Sequence, residues 1–242
     1  MKLEIIGFNI ESCLVAQQTG ADRIELCANP AEGGTTPSYG FIRAARKILD
    51  IDLYVMIRPR GGDFFYSDAE YEIMKNDVDT CKEIGCDGIV LGILNQDGSI
   101  DKKRCQSLLD YAYPLGITFH RAFDRTINPT QALEDIIDIG CERILTSGQQ
   151  PKVMDGKILI KELIELANDR IIIMPGSGVT SSNLTELAEI TGAKEFHSSA
   201  GMVRSSDMKY SNAAMKEELN HITTNGEEVK LMKEILKNLA AS

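Results

Sequence analysis

Long apolar runs are missing from this 242-residue chain. No stretch approaches the roughly 20 residues needed to span a bilayer. The opening Met1-Lys2-Leu3-Glu4-Ile5-Ile6-Gly7 carries an acid inside its apolar stretch and is too short for a signal peptide, so it reads as a first strand. The expectation is a cytoplasmic protein with no membrane partner. A basic surplus is missing too: 26 Lys and Arg stand against 36 Asp and Glu, for a net charge of −10. Without a dense basic stripe this balance excludes a nucleic-acid partner. The six cysteines (Cys13, Cys27, Cys81, Cys86, Cys105 and Cys141) contain no Cys-x-x-Cys pair. In a cytoplasmic chain they read as small buried thiols rather than a disulfide framework. There is no His-Glu-x-x-His, hence no hydrolytic zinc site, and no dinucleotide fingerprint in a strand-turn-helix context, hence no nucleotide cofactor. No lysine stands at a strand end, which argues against Schiff-base chemistry.

What the chain does have is alternation. Eight short, largely β-branched runs are spaced along it: Leu3–Phe8, Arg23–Cys27, Leu53–Arg58, Gly88–Ile93, Ile117–His120, Arg143–Thr146, Ile171–Met174 and Lys194–His197. Continuous apolar runs such as Ile171–Met174 suit parallel strands buried on both faces. Between them lie segments of helical period, among them Asp68–Ile84, Asp101–Tyr113, Pro129–Ile139, Lys157–Asn168 and Ser181–Thr191. Eight strand–helix units in this length are the arithmetic of an α/β protein of the TIM-barrel, (β/α)₈, class. Asn128-Pro129 reads as an N-cap with proline in the first turn, and Gly20, Gly85, Gly140 and Gly192 read as helix C-caps in a recurrent helix-Gly-x-acid-strand element. No linker or second domain is apparent, so residues 1–242 form one barrel domain. Its tail, about 205–242, is polar and then helical; Val229–Leu239 would close the barrel bottom or pack on a partner.

In such a barrel the chemistry belongs at the carboxyl ends of the strands and in the loops that follow. Glu25 and Cys27 end the second run and Arg58, Arg60 and Asp63 follow the third. His120 and Asp124 follow the fifth, Ser147 and Gly148 the sixth, Gly176-Ser177-Gly178 the seventh, and His197-Ser198-Ser199 the eighth. Two of the three histidines thus stand at strand ends; His221 lies in the polar tail and reads as solvated. Buried Arg and His are costly without partners, so their clustering favours a site. His120 is a candidate acid or base, with Arg58, Asp124 and Glu25 as the other catalytic candidates. Arg58 or Arg60 could hold a carboxylate or phosphate in a bidentate fork. Arg60, Asp63, Ser147, Gly148, Gly176, Ser177, Gly178, His197, Ser198 and Ser199 form the candidate binding set, the small-residue loops being suited to an anion held on backbone amides. The array suits proton transfer on a small phosphorylated or carboxylated metabolite.

The same segments resemble the CutC family. The matching motifs are Gly20-Ala21-Asp22-Arg23-Ile24-Glu25-Leu26-Cys27 and Glu32-Gly33-Gly34-Thr35-Thr36-Pro37-Ser38, then Ile57-Arg58-Pro59-Arg60-Gly61-Gly62-Asp63-Phe64-Phe65-Tyr66-Ser67-Asp68. Thr118-Phe119-His120-Arg121-Ala122-Phe123-Asp124, Arg143-Ile144-Leu145-Thr146-Ser147-Gly148 and Glu195-Phe196-His197-Ser198-Ser199-Ala200 complete them. The resemblance runs from about Leu3 to Tyr210. It implies a barrel, a cytoplasmic copper-binding or copper-tolerance role, and a homo-oligomer, commonly a dimer. Ile6 stands where related members carry a cysteine, while Cys27 matches the family's other cysteine. Cu(I) prefers soft ligands; the resemblance makes Cys27 the metal residue, with Met56 or Met174 and His120 or His197 as available companions. Copper homeostasis and orphan barrel enzymology therefore stand as the two readings.

Overall fold

An acid at Glu4 between buried Leu3 and Ile5 makes sense only if successive side chains of the first strand face different environments. The computed structural model describes residues 1–212, 214–216 and 218–241; positions 213, 217 and 242, all in the expected tail, lie outside the described residues. The eight expected strands form: β1 (Lys2–Gly7), β2 (Arg23–Leu26), β3 (Asp52–Met56), β4 (Gly88–Leu91), β5 (Gly116–Phe119), β6 (Arg143–Thr146), β7 (Ile172–Pro175) and β8 (Glu195–Ser198). They run in the order β8-β1-β2-β3-β4-β5-β6-β7 with every ladder parallel, and β7 lies beside β8 to close the ring. Odd-numbered Leu3 and Ile5 face the surrounding helices, whereas Glu4 and Ile6 face the barrel interior. The expected runs overshoot β3 and β4 because Arg58 and Ile93 already pair with neighbouring loops, through Thr36 N–H to Arg58 O and Asp101 N–H to Ile93 O.

The outer helices are α1 (Ile10–Gln18), α2 (Tyr39–Ile48), α3 (Asp68–Ile84), α4 (Lys102–Ala112), α5 (Pro129–Ile139), α6 (Lys157–Ala167), α7 (Leu184–Thr191) and α8 (Gly226–Ala241). Their boundaries follow local chemistry. Ser67 and Glu70 form a reciprocal capping box at α3, and the Asn128 side chain accepts from Gln131 N–H ahead of Pro129 at α5. The helix expected from Ser181 begins three residues later, because Thr180 N–H is taken by the Asn183 side chain and Ser181 is bound by Glu228. The tail helix takes the eighth place in the ring: Val229, Met232 and Leu236 are buried where α8 meets α7, α1 and β1. Before it comes an unexpected antiparallel hairpin, β9 (Gly201–Arg204) with β10 (His221–Thr224), fastened to α1 by Asn9 to Ile222 O and by Thr224 N–H to Ser12. No described helix is long and apolar enough to cross a membrane.

The inside of the barrel is not uniformly apolar. Arg23 of β2 donates twice to Glu195 Oε2 of β8, at 2.8 and 2.5 Å, and its Nε lies 3.3 Å from Glu4 Oε2. Arg143 of β6 lies 3.3 Å from the same Glu195 oxygen and donates to Thr118 of β5 at 3.1 Å. Both guanidinium groups stack over the Tyr54 ring of β3, at 5.0 and 4.9 Å. Six strands, β1, β2, β3, β5, β6 and β8, are thereby tied across the interior. Buried charges survive only when paired this completely.

Candidate active site at the barrel mouth

Two residues further along the same inward faces, the charge network opens into a cavity of about 210 Å³ at the carboxyl end of the barrel. Its wall includes Ile6, Glu25, Met56, Arg58, Phe64, His120, Arg121, Leu145, Ser177, Gly178, His197 and Ser199. Strand pleating explains the placement. Arg23 and Glu25 share one face of β2, and Glu195 and His197 share one face of β8, so each strand sends one charged group to the interior network and the next to the mouth.

Glu4, His197 and Glu25 form a buried chain. His197 Nδ1 lies 2.8 Å from Glu4 Oε1, and its Nε2 lies 3.7 Å from Glu25 Oε2. Burial works against a charged imidazole at His197, but the Glu25 and Glu4 carboxylates outweigh it and raise its pKa. Burial likewise opposes ionisation of Glu4; the hydrogen bond and charge of His197, with Arg23 and Arg143, prevail and lower it. Glu25 goes the other way: burial, and then the nearby Glu4 charge, push it up to about 7 despite the pull of His197 and Arg23. Its Oε1 is buried with no hydrogen-bond partner among the described residues. A carboxyl group that titrates near neutrality on a cavity wall is suited to acid–base work.

His120 is different in kind. Its Nδ1 accepts the Ala122 N–H at 3.2 Å, which assigns the ring proton to Nε2. That Nε2 is buried and unpartnered among the described residues. Burial, reinforced by the Arg58 charge, drives the His120 pKa down to about 3, so the ring is neutral. Its position depends on Gly92, where a β-carbon would fall 2.6 Å from the imidazole. Phe64 packs on it at 4.9 Å and also lies against the Arg58 guanidinium at 4.9 Å.

The other expected residues divide by position. Arg58 is buried, and its two terminal nitrogens are spent on the carbonyls of Glu32, Gly34 and Gly62, which bind the β2 and β3 loops together. Arg60 lies off the cavity wall, paired with Glu70 and Asp63, and the Asp63 side chain is 73% exposed. Asp124 anchors the β5 and β6 loops by accepting from the Thr146 hydroxyl, the Ser147 and Gln149 N–H groups and Arg121. Ser147 is buried within that anchor and donates to Gln150 O. Gly148 makes a turn at φ +69°, so close to Gly156 that a β-carbon would fall 2.2 Å from its carbonyl oxygen. Ser177, Gly178 and Ser199 reach the wall; Gly176 packs behind it against Leu145 and His197, and Ser198 is bound to Val179 O. Cys27 is fully buried in an apolar cluster with Ile6, Tyr54, Met56 and Val90, and burial followed by the Glu25 charge raises its thiol far above the usual range.

Sequence reasoning did not single out Glu4, Arg121 or Lys152. Arg121 uses Nε on Asp124 and Nη2 on Ser147, leaving Nη1 without a partner among the described residues. Lys152 reaches the rim, its Nζ 3.9 Å from where a side chain on Gly178 would begin. Glu4 carried a signal, an acid flanked by buried positions in a strand. Arg121 follows His120 directly in the Thr118–Asp124 segment. Lys152, in a loop well beyond β6, carried none.

A closed parallel barrel with a charged, partly apolar mouth defines the (β/α)₈ class, and the likeness to known proteins narrows it. The profile of the CutC family matches residues 1–202. A human protein named copper homeostasis protein cutC homolog is 49% identical over 213 residues, covering 88% of this chain and 78% of its own. A CutC family protein of Parabacteroides distasonis is 46% identical over 236 residues, 94% of this chain and 97% of its own. The crystal structure of a CutC protein from Streptococcus agalactiae superposes with a TM-score of 0.79 at 37% identity, covering 82% of this chain and 98% of that one. This chain belongs to the CutC family. Phosphoribosyl anthranilate isomerase from Thermotoga maritima, at 12% identity and a TM-score of 0.63 over 98% of this chain and 99% of its own, shares the fold alone.

Proposed function

We propose that the barrel mouth is an enzyme active site for acid–base chemistry on a small phosphorylated or carboxylated metabolite. The observation that carries this reading is Glu25: a buried carboxyl on the cavity wall, with one partnerless oxygen and a pKa near 7, backed by His197 and Glu4. In this reading Glu25 is the proton carrier and His197 with Glu4 hold it in place. Arg121 on the cavity wall, with Lys152 next to Gly178, meets the substrate's negative charge. Arg58 acts through the loops it binds and through the charge that keeps His120 neutral. The residues in the Asp124 anchor shape the mouth from outside it.

The test is binding of small anions. Thermal stability would be followed against pyruvate, glycolate, dihydroxyacetone phosphate and inorganic phosphate. Saturable stabilisation by at least one of the organic anions is expected. Arg121→Gln should remove it, and Glu25→Gln should leave it largely intact. No stabilisation by any of them sinks the reading.

A copper role has one structural observation in its favour: Cys27 and Met56, both soft ligands, share one buried cluster beneath the mouth. Relatives are named for copper homeostasis. Against it, Ile6 fills the place of a second thiol, and Cys27 is sealed and held protonated. The Glu4, Glu25 and His197 ligand atoms lie within 4.8 Å of one another, but that group is already balanced by the His197 proton and by Arg23. Copper here would be cargo. Stoichiometric Cu(I) binding in competition with a chromogenic chelator, abolished by Cys27→Ser, would favour this role over the enzymatic one.

A further inference from the structure

Three residues of the cavity wall carry a buried polar atom without a partner among the described residues, Arg58 at Nε, Glu25 at Oε1 and His120 at Nε2, and the last two are opposite in kind: an acceptor, Glu25 Oε1, and a neutral donor, His120 Nε2–H. Buried polar groups are seldom left unpaired, and such a pair on one wall asks for a ligand that offers a proton to one and an oxygen to the other. We infer that the site catalyses enolisation, in which Glu25 removes a proton from the carbon beside a carbonyl group and His120 holds the carbonyl oxygen. The inference rests on the acid–base reading above and adds the substrate class: a small α-hydroxy aldehyde or ketone bearing an anionic group.

The bookkeeping closes without a co-reactant. The C–H bond breaks, its proton goes to Glu25, and its electron pair forms a carbon–carbon double bond. The carbonyl π pair moves onto oxygen, which accepts the hydrogen bond from His120 Nε2–H. Glu25 then returns the proton to the same carbon or, after proton transfer between the enediol oxygens, to its neighbour. The outcome is proton exchange, epimerisation or isomerisation, with no net oxidation.

Three features favour this class. A neutral imidazole is a donor well matched to an enolate oxygen, and a carboxylate base with a neutral imidazole is a recurring arrangement for proton transfer beside a carbonyl. Second, the hydroxyls of Ser177, Ser198 and Ser147 are committed to Pro151 O, Val179 O and Gln150 O, Cys27 is sealed, and the one wall hydroxyl left over, Ser199, has no base bonded to it, since His197 faces Glu4 and Glu25 and His120 Nδ1 takes the Ala122 N–H. That leaves acid–base rather than covalent catalysis. Third, a cavity of about 210 Å³ admits a molecule of a few carbons, with Arg121 and Lys152 at its rim for the charged end.

The experiment follows carbon-bound protons by ¹H NMR in D₂O with the intact protein and three probes: dihydroxyacetone phosphate, dihydroxyacetone and glycolaldehyde. Enzyme-dependent loss of a C–H signal is expected, fastest for the phosphorylated probe. Glu25→Gln should slow it at least 100-fold and Glu25→Asp should restore part of it. His120→Ala should slow it about 100- to 1,000-fold, the usual cost of removing an oxyanion donor. Retained cooperative unfolding of each variant separates a chemical effect from a folding failure. A probe that stabilises the protein through Arg121 yet never exchanges overturns enolisation and leaves the acid–base anion site standing. Failure of every probe either to bind or to exchange overturns both.

Discussion

Glu25 sits where its charged form is least favoured. Burial raises its pKa from 4.5 to about 7, so the folded protein holds that proton more tightly than the unfolded chain does. The sign follows by linkage. The stability that Glu25 contributes is fully present below pH 4.5 and is lost as pH rises to about 7. Glu25→Gln, which cannot ionise, should therefore be more stable than the native protein at pH 8, by on the order of 1–3 kcal/mol, with the gap shrinking toward pH 5. Urea midpoints at the two pH values check this; a pH-independent difference would mean that Glu25 is not the buried acid described here. The same substitution should remove activity, a trade expected where a site is held in an unfavourable state. His120 has the opposite sign. Its folded pKa lies below the ordinary value of 6.5, at about 3, so its contribution is present above pH 6.5 and is lost on acidification.

At the scale of elements, the parallel strands are joined twice, by backbone ladders outside the lumen and by charge within it. Glu195 is the common partner of Arg23 and Arg143. Glu195→Ala would leave two buried guanidinium groups short of a counter-charge, and about 3–5 kcal/mol of stability should go, read as a fall in the urea midpoint at unchanged slope. A loss below 1 kcal/mol would mean that water or Glu4 replaces it. This network also explains what the sequence could and could not reveal. The strands were legible because both faces of Ile171–Met174 and Gly88–Leu91 are buried and the runs read as apolar. Helices ending in Gly85, Gly140 and Gly192 were legible because only local backbone chemistry is involved. The site was partly legible, since a strand end is a one-dimensional position. The partnership of Glu4 with His197 was not, for those residues stand 193 apart in sequence and meet only through the β1–β8 register. Arg60 and Asp63 looked like mouth residues because they follow β3. Glu70, at the start of α3, supplies the partner that draws Arg60 aside.

For the molecule as a whole, the matched family profile ends at residue 202, yet the ring of helices is completed only by α8 at 226–241. Without α8, the buried Val229, Met232 and Leu236 are lost, and the faces of α1, α7 and β1 that they cover meet water. Each such side chain is worth roughly 1.5–3 kcal/mol on burial, and a domain's whole margin is about 5–15 kcal/mol. The Glu228 contacts to Ser181 and the Lys233 contact to Asp22, both of which tie α8 to the barrel, would go as well. A chain ending at Thr224 should therefore lose its cooperative unfolding transition or keep it only well below the full chain's midpoint. Leu236→Ala in the full chain should cost about 2–5 kcal/mol. The two measurements distinguish a ring element from an appendage: if truncation leaves the midpoint unchanged, α8 contributes nothing to the barrel, and if both fall together, the last helix is part of the fold that holds Glu4, Glu25 and His197 in register.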